Sequence, residues 1–354
     1  MKYVLLPLVF IVFFISCGKK KTFKPRDVNT IEIEHLMQDS LLDVRALEVY
    51  DENVAYFATS TGKIGAISDN EEGFTEVLDY KFLVQLKQDS IIPNFRSLAA
   101  TNNYGFAMSI ASPALIFRMG DDEDNVVYQE NHPKAFYDSM DFWNDEEGIA
   151  IGDSTVGCLS IIITRDGGNT WTKLSCNDLP KGTENEGAFA ASDTNIAIVG
   201  DNTWVATTAG RIYYSPDKGK TWDVYNTPIV KDKETEGIYS IDFYDALNGF
   251  AIGGDYTKPD ANTANKMKTS DGGKTWALVA KNQNPGYRSC VQYMPNRNGK
   301  ELVAIGFKGI DYSNDSGNTW KHLSDEGFYT IRFLNDSIAY AAGAGRISKL
   351  TFRE

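Results

Sequence analysis

The chain is dominated by short apolar segments that end in glycine or another small residue and that follow segments of alternating apolar and polar residues. Both patterns are typical of β-strands, and a helical period of apolar residues is nearly absent. Seven of the apolar segments resemble one another: NVAYFAT (53–59), YGFAMSI (104–110), EGIAIGD (147–153), NIAIVGD (195–201), NGFAIGG (248–254), ELVAIGF (301–307) and SIAYAAG (337–343). The pattern therefore predicts an all-β protein built from seven similar units.

Four of the units carry the same eight-residue string, Ser/Thr-x-Asp-x-Gly-x-Thr-Trp. The copies are TRDGGNTW (164–171), SPDKGKTW (215–222), TSDGGKTW (269–276) and SNDSGNTW (313–320). Aspartate can accept hydrogen bonds from backbone N–H groups two residues further on, glycine permits positive φ, and tryptophan covers the turn with apolar surface. The tryptophans are 51, 54 and 44 residues apart, a period typical of a four-stranded propeller blade.

This string resembles the Asp-box, or BNR, repeat of sialidases, sortilin-type receptors and photosystem II assembly factors, and it is most similar to the assembly factors. The resemblance implies a β-propeller in which each box joins the third and outer strands of a blade. It also implies that the box residues are structural and do not bind ligand. Those residues are Asp166, Gly168, Trp171, Asp217, Gly219, Trp222, Asp271, Gly273, Trp276, Asp315, Gly317 and Trp320.

We therefore expect residues 29–354 to form a seven-bladed β-propeller of four-stranded antiparallel blades. Units one and two lack the string: residues 68–74 resemble a degenerate copy, and an acidic turn at 120–125 replaces the other. The seventh unit ends at residues 346–352 with only three strands. Residues 29–36, NTIEIEHL, alternate as a strand does, and we expect them to supply the fourth strand and close the ring.

The first seventeen residues, MKYVLLPLVFIVFFISC, combine a lysine with an apolar run that is short for a membrane span and typical of a secretory signal. The small residue before Cys17 resembles a bacterial lipobox, which implies a signal peptide at 1–16 and a lipid on Cys17. An ordinary signal peptide is the alternative. Residues 17–28 would then be a flexible tether. Resemblance to Gram-negative lipoproteins implies an exported outer-membrane lipoprotein that faces the periplasm.

The net charge limits the classes of partner, and the cysteine positions allow a disulfide in an oxidising compartment. The formal net charge is −13 and the basic residues are scattered apart from residues 19–21, which argues against a nucleic-acid partner. Cys158 and Cys176 flank the first string at nearly equal distances, so a hairpin would bring them face to face. A disulfide and two buried free thiols are both compatible with this spacing. We expect a monomer.

The candidate binding residues come from an alignment of the inner strands on a recurrent small residue. The residues before it are Arg45, Arg96, Asp138, Phe189, Tyr239, Arg288 and Tyr329. In ring order the three arginines and Tyr329 are neighbours, and converging guanidinium groups favour a carboxylate or another planar anion. The alternative is that each arginine pairs with an acid across a blade boundary, for which Asp43, Glu48 or Asp138 could serve. Loops between second and third strands add Trp204, Asp255 and Tyr256.

These residues favour a non-catalytic scaffold that binds a protein partner in the cell envelope, with an anionic or carboxylate-bearing segment at the arginines. The membrane would be reached through the lipid anchor. Sialidases also use three arginines, but they add a tyrosine–glutamate pair, and no glutamate is placed beside Tyr239 or Tyr329. A carbohydrate-binding or sialidase-like glycosidase propeller is therefore the alternative. No haem, dinucleotide or metal motif is present in the sequence, and we expect no cofactor and no metal.

Overall fold

The computed structural model describes residues 23–50, 54–68, 80–120 and 125–354. The strands are β1 (Thr30–Val49), β2 (Val54–Thr59), β3 (Lys63–Ser68), β4 (Tyr80–Gln85), β5 (Phe95–Ala100), β6 (Gly105–Ser109), β7 (Ala114–Met119), β8 (Asn125–Glu130), β9 (Tyr137–Phe142), β10 (Gly148–Gly152), β11 (Ser160–Thr164), β12 (Thr172–Lys173), β13 (Ile196–Val199), β14 (Asn202–Ala206), β15 (Arg211–Ser215), β16 (Asp223–Asn226), β17 (Glu236–Phe243), β18 (Gly249–Asp255), β19 (Lys266–Thr269), β20 (Ala277–Leu278), β21 (Cys290–Tyr293), β22 (Leu302–Gly306), β23 (Gly309–Ser313), β24 (Lys321–Ser324), β25 (Thr330–Phe333) and β26 (Ile338–Arg353).

Some sequence predictions lie outside these ranges. They are the signal segment with Cys17, the first part of the tether, and residues 69–74 and 121–124 of the two units that lack the string. Within the described ranges, no helix has the length and apolar character needed to cross a membrane.

The strands of the described ranges form six antiparallel sheets, so the prediction of seven blades is wrong. Five sheets have four strands, and the sixth has six, in the order β25-β26-β1-β2-β3-β4. The units counted as first and seventh are joined because β1 has 20 residues and β26 has 16, and each is long enough to belong to both. The architecture is an all-β propeller of six blades.

The N-terminal half of β1 pairs with the C-terminal half of β26, with Ile33 opposite Leu350 and Met37 opposite Ile347. This is the pairing expected of residues 29–36. It lies inside the six-stranded sheet and does not complete a separate seventh blade. Because the two ends of the described chain meet in one sheet, this sheet closes the ring and leaves no open edge at the junction.

Each blade packs on its two neighbours, which explains the uninterrupted apolar strands. In β10, Ile149 and Ile151 contact a core shared with Tyr213 of the next blade, whereas Ala150 faces a core shared with Phe106 of the preceding blade. All five residues of β10 are buried. Since successive side chains of a strand point to opposite faces, a central strand that is covered on both faces must be apolar at every position.

The four repeated strings form identical turns between the third and fourth strands of their blades; we call them the repeat turns. In the first, Asp166 accepts hydrogen bonds from Thr170 N at 2.9 Å and from Thr170 Oγ1 at 2.7 Å. Gly168 has a φ of 77° and packs against the Phe106 ring of the preceding blade, where a Cβ atom would collide. The repeat turns therefore hold the strands of one blade and also fit that blade against its neighbour.

The chain enters the ring on the side that carries the repeat turns, which we call the turn face. Arg26 donates from Nε and Nη2 to Glu301 Oε2 at 2.9 and 2.8 Å, and Glu301 is fully buried. The carbonyl of Arg26 accepts hydrogen bonds from Tyr312 and from Asn314, the latter a residue of the last repeat turn. These contacts fix residue 26 against the body of the propeller.

Cys158 and Cys176 are joined by a disulfide, with their Cα atoms 5.5 Å apart. Cys158 precedes β11 and Cys176 follows β12, so the bond spans the hairpin that contains the first repeat turn. Of the two interpretations compatible with the sequence, the structure shows the disulfide. Cys290 is a buried free thiol.

Residues 189–195 lie between β12 and β13 and cross the axis of the ring; we call them the axial segment. They were predicted as the inner strand of unit four, but the first strand of that blade, β13, begins only at Ile196. The carbonyl of Ser192 accepts from Thr330 Oγ1 at 2.8 Å, and the Asp193 carboxylate accepts from Leu98 N at 2.9 Å and from Ser139 Oγ at 3.0 Å. Because its partners belong to three different blades, the axial segment fills the centre of the propeller.

Candidate functional site

A cleft of about 500 Å³ opens at the centre of the face opposite the repeat turns; we call this the cleft face. The axial segment forms its floor, and the beginnings of the innermost strands form its walls. The charged and aromatic residues that line it are Arg45, Arg96, Phe136, Phe189, Tyr239, Tyr256, Tyr287, Phe307 and Tyr329. The cleft therefore contains two of the three predicted arginines and all three predicted tyrosines.

A β-bulge explains why the aligned residues point inward. The pairing of the innermost strand shifts register around Arg45, Arg96, Asp138 and Tyr239, so that each of these residues is left without a partner in the ladder. Bulges redirect side chains and are common next to functional sites. The alignment of the sequence thus located a structural feature shared by four blades.

Arg45 is held in place from two sides. Its guanidinium carbon lies 3.8 Å from the centre of the Tyr329 ring, and its Nη1 donates to the carbonyl of Ala191 in the axial segment at 3.2 Å. Its Nε is 3.6 Å from the half-buried Asp43 carboxylate. Stacking on an aromatic ring fixes the plane of a guanidinium group, which prepares it to contact a planar anion.

Arg96 is less constrained by acids. Its Nε donates to Asn94 Oδ1 at 3.1 Å, and the described residues place no carboxylate within ion-pair distance of it. The equivalent residue of the next blade, Asp138, is fully buried, and neither of its carboxylate oxygens accepts a hydrogen bond. Burial and the neighbouring Asp153 raise the pKa of Asp138 well above its usual range. Asp138 forms no ion pair with a cation of the described residues, so Asp43 is the carboxylate that lies within ion-pair distance of the cleft arginines.

The remaining wall of the cleft is aromatic. Phe189 stacks on Tyr239 with ring centres 3.7 Å apart, and Tyr287 meets Tyr239 edge to face at 4.7 Å. Phe307 lies 5.5 Å from Tyr287. The Tyr239 hydroxyl donates to the carbonyl of Thr235, and burial raises the pKa of Tyr239 and Tyr287. The wall is therefore neutral, rigid and suited to contact apolar or aromatic groups.

Arg288, the third predicted arginine, lies outside the cleft. Its Nε and Nη2 are 2.7 and 2.6 Å from Asp311 Oδ2, and both side chains are buried. Its Nη1 donates to the carbonyl of Tyr287. Arg288 thus pairs with an acid of its own blade, and a three-arginine arrangement like that of sialidases is not assembled.

Two predicted loop residues are also not in the cleft. Trp204 lies in strand β14, fully buried, where it stacks on Phe243 at 3.6 Å and donates to the carbonyl of Gly272 in a repeat turn. Asp255 ends β18 and is buried, with its carboxylate accepting from Thr257 N and Oγ1. Of the three predicted loop residues, only Tyr256 lines the cleft.

Beyond the axial segment lies a second cavity of about 230 Å³, lined by Glu48, Asp141, Asp193, Asp242 and Arg332. Arg332 Nη2 donates to the carbonyl of Asp193 at 2.8 Å, and Arg332 Nε is 3.7 Å from Glu48. Burial raises the pKa of Glu48 to about 8 and that of Asp193 to about 7, although Arg332 attracts both carboxylates. The described residues contain no group of three or more potential ligands arranged to hold a metal ion.

Sequence reasoning missed Arg332, although a signal was available. Glu48, Asp141, Asp242 and Arg332 each follow one of the aligned residues by three positions, namely Arg45, Asp138, Tyr239 and Tyr329. In the three strands with a bulge at the aligned residue, this spacing returns the side chain to the axis. The propeller therefore has two tiers of axial residues, one rich in arginine and aromatic groups and one rich in carboxylates.

No family model and no curated protein sequence matches the chain. The structure of YCF48 bound to D1 peptide is similar, with a TM-score of 0.65 at 13% identity over 95% of this chain and 100% of that one. YCF48 from Cyanidioschyzon merolae gives 0.62 at 12% identity over 91% and 98% of the two chains. A streptogramin B lyase structure gives 0.65 at 14% identity over 91% and 98%. These similarities show the propeller fold alone.

Proposed function

We propose that this protein is a non-catalytic scaffold that binds a segment of a protein partner in the cleft. The observation that carries this proposal is the pair of arginines, Arg45 and Arg96, at an aromatic cleft on a protein of net charge −13. Two guanidinium groups beside neutral aromatic rings suit a carboxylate attached to an apolar group. YCF48, which has a similar fold, binds a D1 peptide, and this supports a peptide as the ligand.

The proposal extends to the setting of the scaffold. We assign the repeat turns to the Asp-box class on the residues that form them, and we place the protein in the cell envelope, attached through a lipid on Cys17. The lipobox-like sequence supports this attachment, and metabolic labelling with a lipid analogue tests it. A Cys17→Ala chain should lose the label, whereas an unlabelled wild-type chain would overturn the assignment.

Photocrosslinking from matched positions tests the binding function. Tyr256 is 49% exposed in the cleft and Tyr50 is 45% exposed near the turn face, so a benzoylphenylalanine at either position samples one side of the propeller. We expect a recurrent protein adduct at position 256 and none at position 50.

The adduct at position 256 should disappear in the Arg45→Ala, Arg96→Ala variant. It should persist in Arg353→Ala, which removes an exposed arginine paired with Glu32 far from the cleft. Adducts of equal intensity at both positions, or an adduct indifferent to the two cleft arginines, would overturn the proposed function.

A further inference from the structure

Exposed apolar side chains are concentrated on the cleft face. Nine large hydrophobic residues are exposed within the described ranges, and Leu41, Val156 and Ile92 are the most exposed, at 82%, 70% and 64%. Together with Ile91 these three form a set that we call the apolar rim. Ile91 and Ile92 lie in the connection that enters β5, and Val156 lies in the connection between β10 and β11, both on the cleft face. Leu41 lies within β1, four residues before Arg45 of the cleft.

Local hydrogen bonds hold the rim residues outward. Leu41 N donates to Asp39 Oδ1 at 2.9 Å, and Gln88 and Ile91 exchange two backbone hydrogen bonds at 2.8 and 3.0 Å. The segment of Val156 is tied to the disulfide hairpin, since Cys176 Sγ lies 3.9 Å from the Val156 carbonyl oxygen. Because these turns are fixed, the side chains are presented to solvent in a prepared conformation, which lowers the entropic cost of binding.

The cleft adds exposed aromatic residues to the apolar residues of the rim. Tyr256 and Phe307 are themselves exposed, line the cleft, and contact Tyr287 at ring separations of 6.4 and 5.5 Å. Apolar residues gathered on one face indicate an interaction surface, whereas scattered single residues do not. On the turn face and its surroundings the exposed large hydrophobic residues of the described chain are Tyr50, Leu247 and Phe23.

We propose that the apolar rim and the cleft form one docking surface for an extended protein segment in which a carboxylate is flanked on both sides by apolar side chains. The proposal rests on the proposed function and specifies the chemistry of the partner. Charge complementarity selects the carboxylate, because Arg45 and Arg96 are the charged groups of the cleft. The rim selects the flanks, because aliphatic side chains that are exposed in the free protein gain free energy when a partner's apolar groups cover them.

Fluorescence anisotropy with defined peptides tests the proposal. The probes are three nine-residue peptides labelled with fluorescein: a central glutamate with leucine and phenylalanine flanks, the same flanks with a central glutamine, and a central glutamate with serine flanks. We expect the wild-type protein to bind the first peptide at least about tenfold more tightly than either of the others. Absence of binding to all three peptides would overturn the proposal.

Rim variants separate this proposal from the proposed function. The rim variant carries three substitutions together, Leu41→Ser, Ile92→Ser and Val156→Ser. Its affinity for the first peptide should fall about tenfold or more. Its melting temperature should not change, because all three side chains are exposed. Leu247→Ser, at a site 57% exposed on the turn face, should have no effect. If Arg45→Ala weakens binding and the rim variant does not, the partner chemistry is wrong and the scaffold function stands. If neither does, both fail.

Discussion

Replacement of Arg288 by alanine removes one member of a buried ion pair and leaves the other without its cation. The guanidinium makes two contacts of 2.6–2.7 Å with Asp311, whose side chain is 1% exposed. Truncating one partner of such a pair costs about 3–5 kcal/mol. Two nearby groups reduce this loss of stability. His322 Nδ1 lies 3.0 Å from Asp311. Lys266, whose pKa burial lowers to about 8, is attracted by Asp311.

We therefore expect a cost near the lower limit, about 3 kcal/mol. At about 2.1 cal/mol/K per residue, this corresponds to a fall of about 4 °C in the melting temperature of a chain of this length. Differential scanning fluorimetry and guanidinium unfolding measure the two quantities. Arg45→Ala is the matched control: its ion pair is partly exposed, so it should cost less than about 1 kcal/mol.

A second variant isolates the effect of leaving the Asp311 carboxylate without its cation. Arg288→Ala combined with Asp311→Ala removes both charges, so it should recover part of the stability lost in the single variant. Melting temperatures of Arg288→Ala and wild type within 1 °C of each other would refute the reasoning. So would a loss of peptide affinity in Arg288→Ala as large as that in Arg45→Ala, because it would place Arg288 in the site.

Three further outcomes are expected. Glu48 binds its proton more tightly in the folded state, since burial raises its pKa to about 8, so its contribution to stability falls as pH rises from about 5 to 8; Glu48→Gln should flatten that part of a pH series of unfolding free energies. Replacing Cys158 and Cys176 by serine should lower the unfolding free energy by about 3 kcal/mol, and reductant should then have no further effect on the midpoint. Deleting residues 29–36 should lower the melting temperature clearly, because β26 loses its partner strand; an unchanged melting curve would contradict the role of this segment.

The sequence predicted the strand content and the repeat turns well because both depend on local chemistry. A buried strand needs apolar residues, and the turn needs Asp166, Gly168 and their equivalents whatever surrounds them. The number of blades depends on how far a strand continues, and nothing in the residues around the middle of β1 indicates that one strand joins two units. The count of seven was therefore wrong: the first and seventh units keep the local strand pattern, but the pairing of β1 with β26 joins them into one sheet.

Trp204 was predicted in a loop but lies in strand β14, because the second strand of its blade was assigned seven residues too early. NTWVATT (202–208) occupies the same strand position as NGFAIGG, and Trp204 packs on Gly273 of the next repeat turn as Phe106 packs on Gly168. Assigning NIAIVGD as the second strand instead moved Trp204 into a loop and made the axial segment a strand. Arg45, Arg96, Tyr239 and Tyr329 line the cleft, and their strands follow the common pattern, three of them with the bulge at that position.

If a lipid on Cys17 attaches the protein to a membrane as proposed, the fixed position of Arg26 determines which face of the propeller lies toward the bilayer. Residue 26 is bound to Glu301 and to the last repeat turn, on the side of the ring away from the cleft. Residue 26 is nine positions from Cys17, a reach of at most about 30 Å. A lipid on Cys17 would therefore keep the repeat turns toward the bilayer and point Arg45 and Arg96 into the aqueous compartment. The segment that such a scaffold captures would have to arrive from solution or extend well clear of the membrane surface.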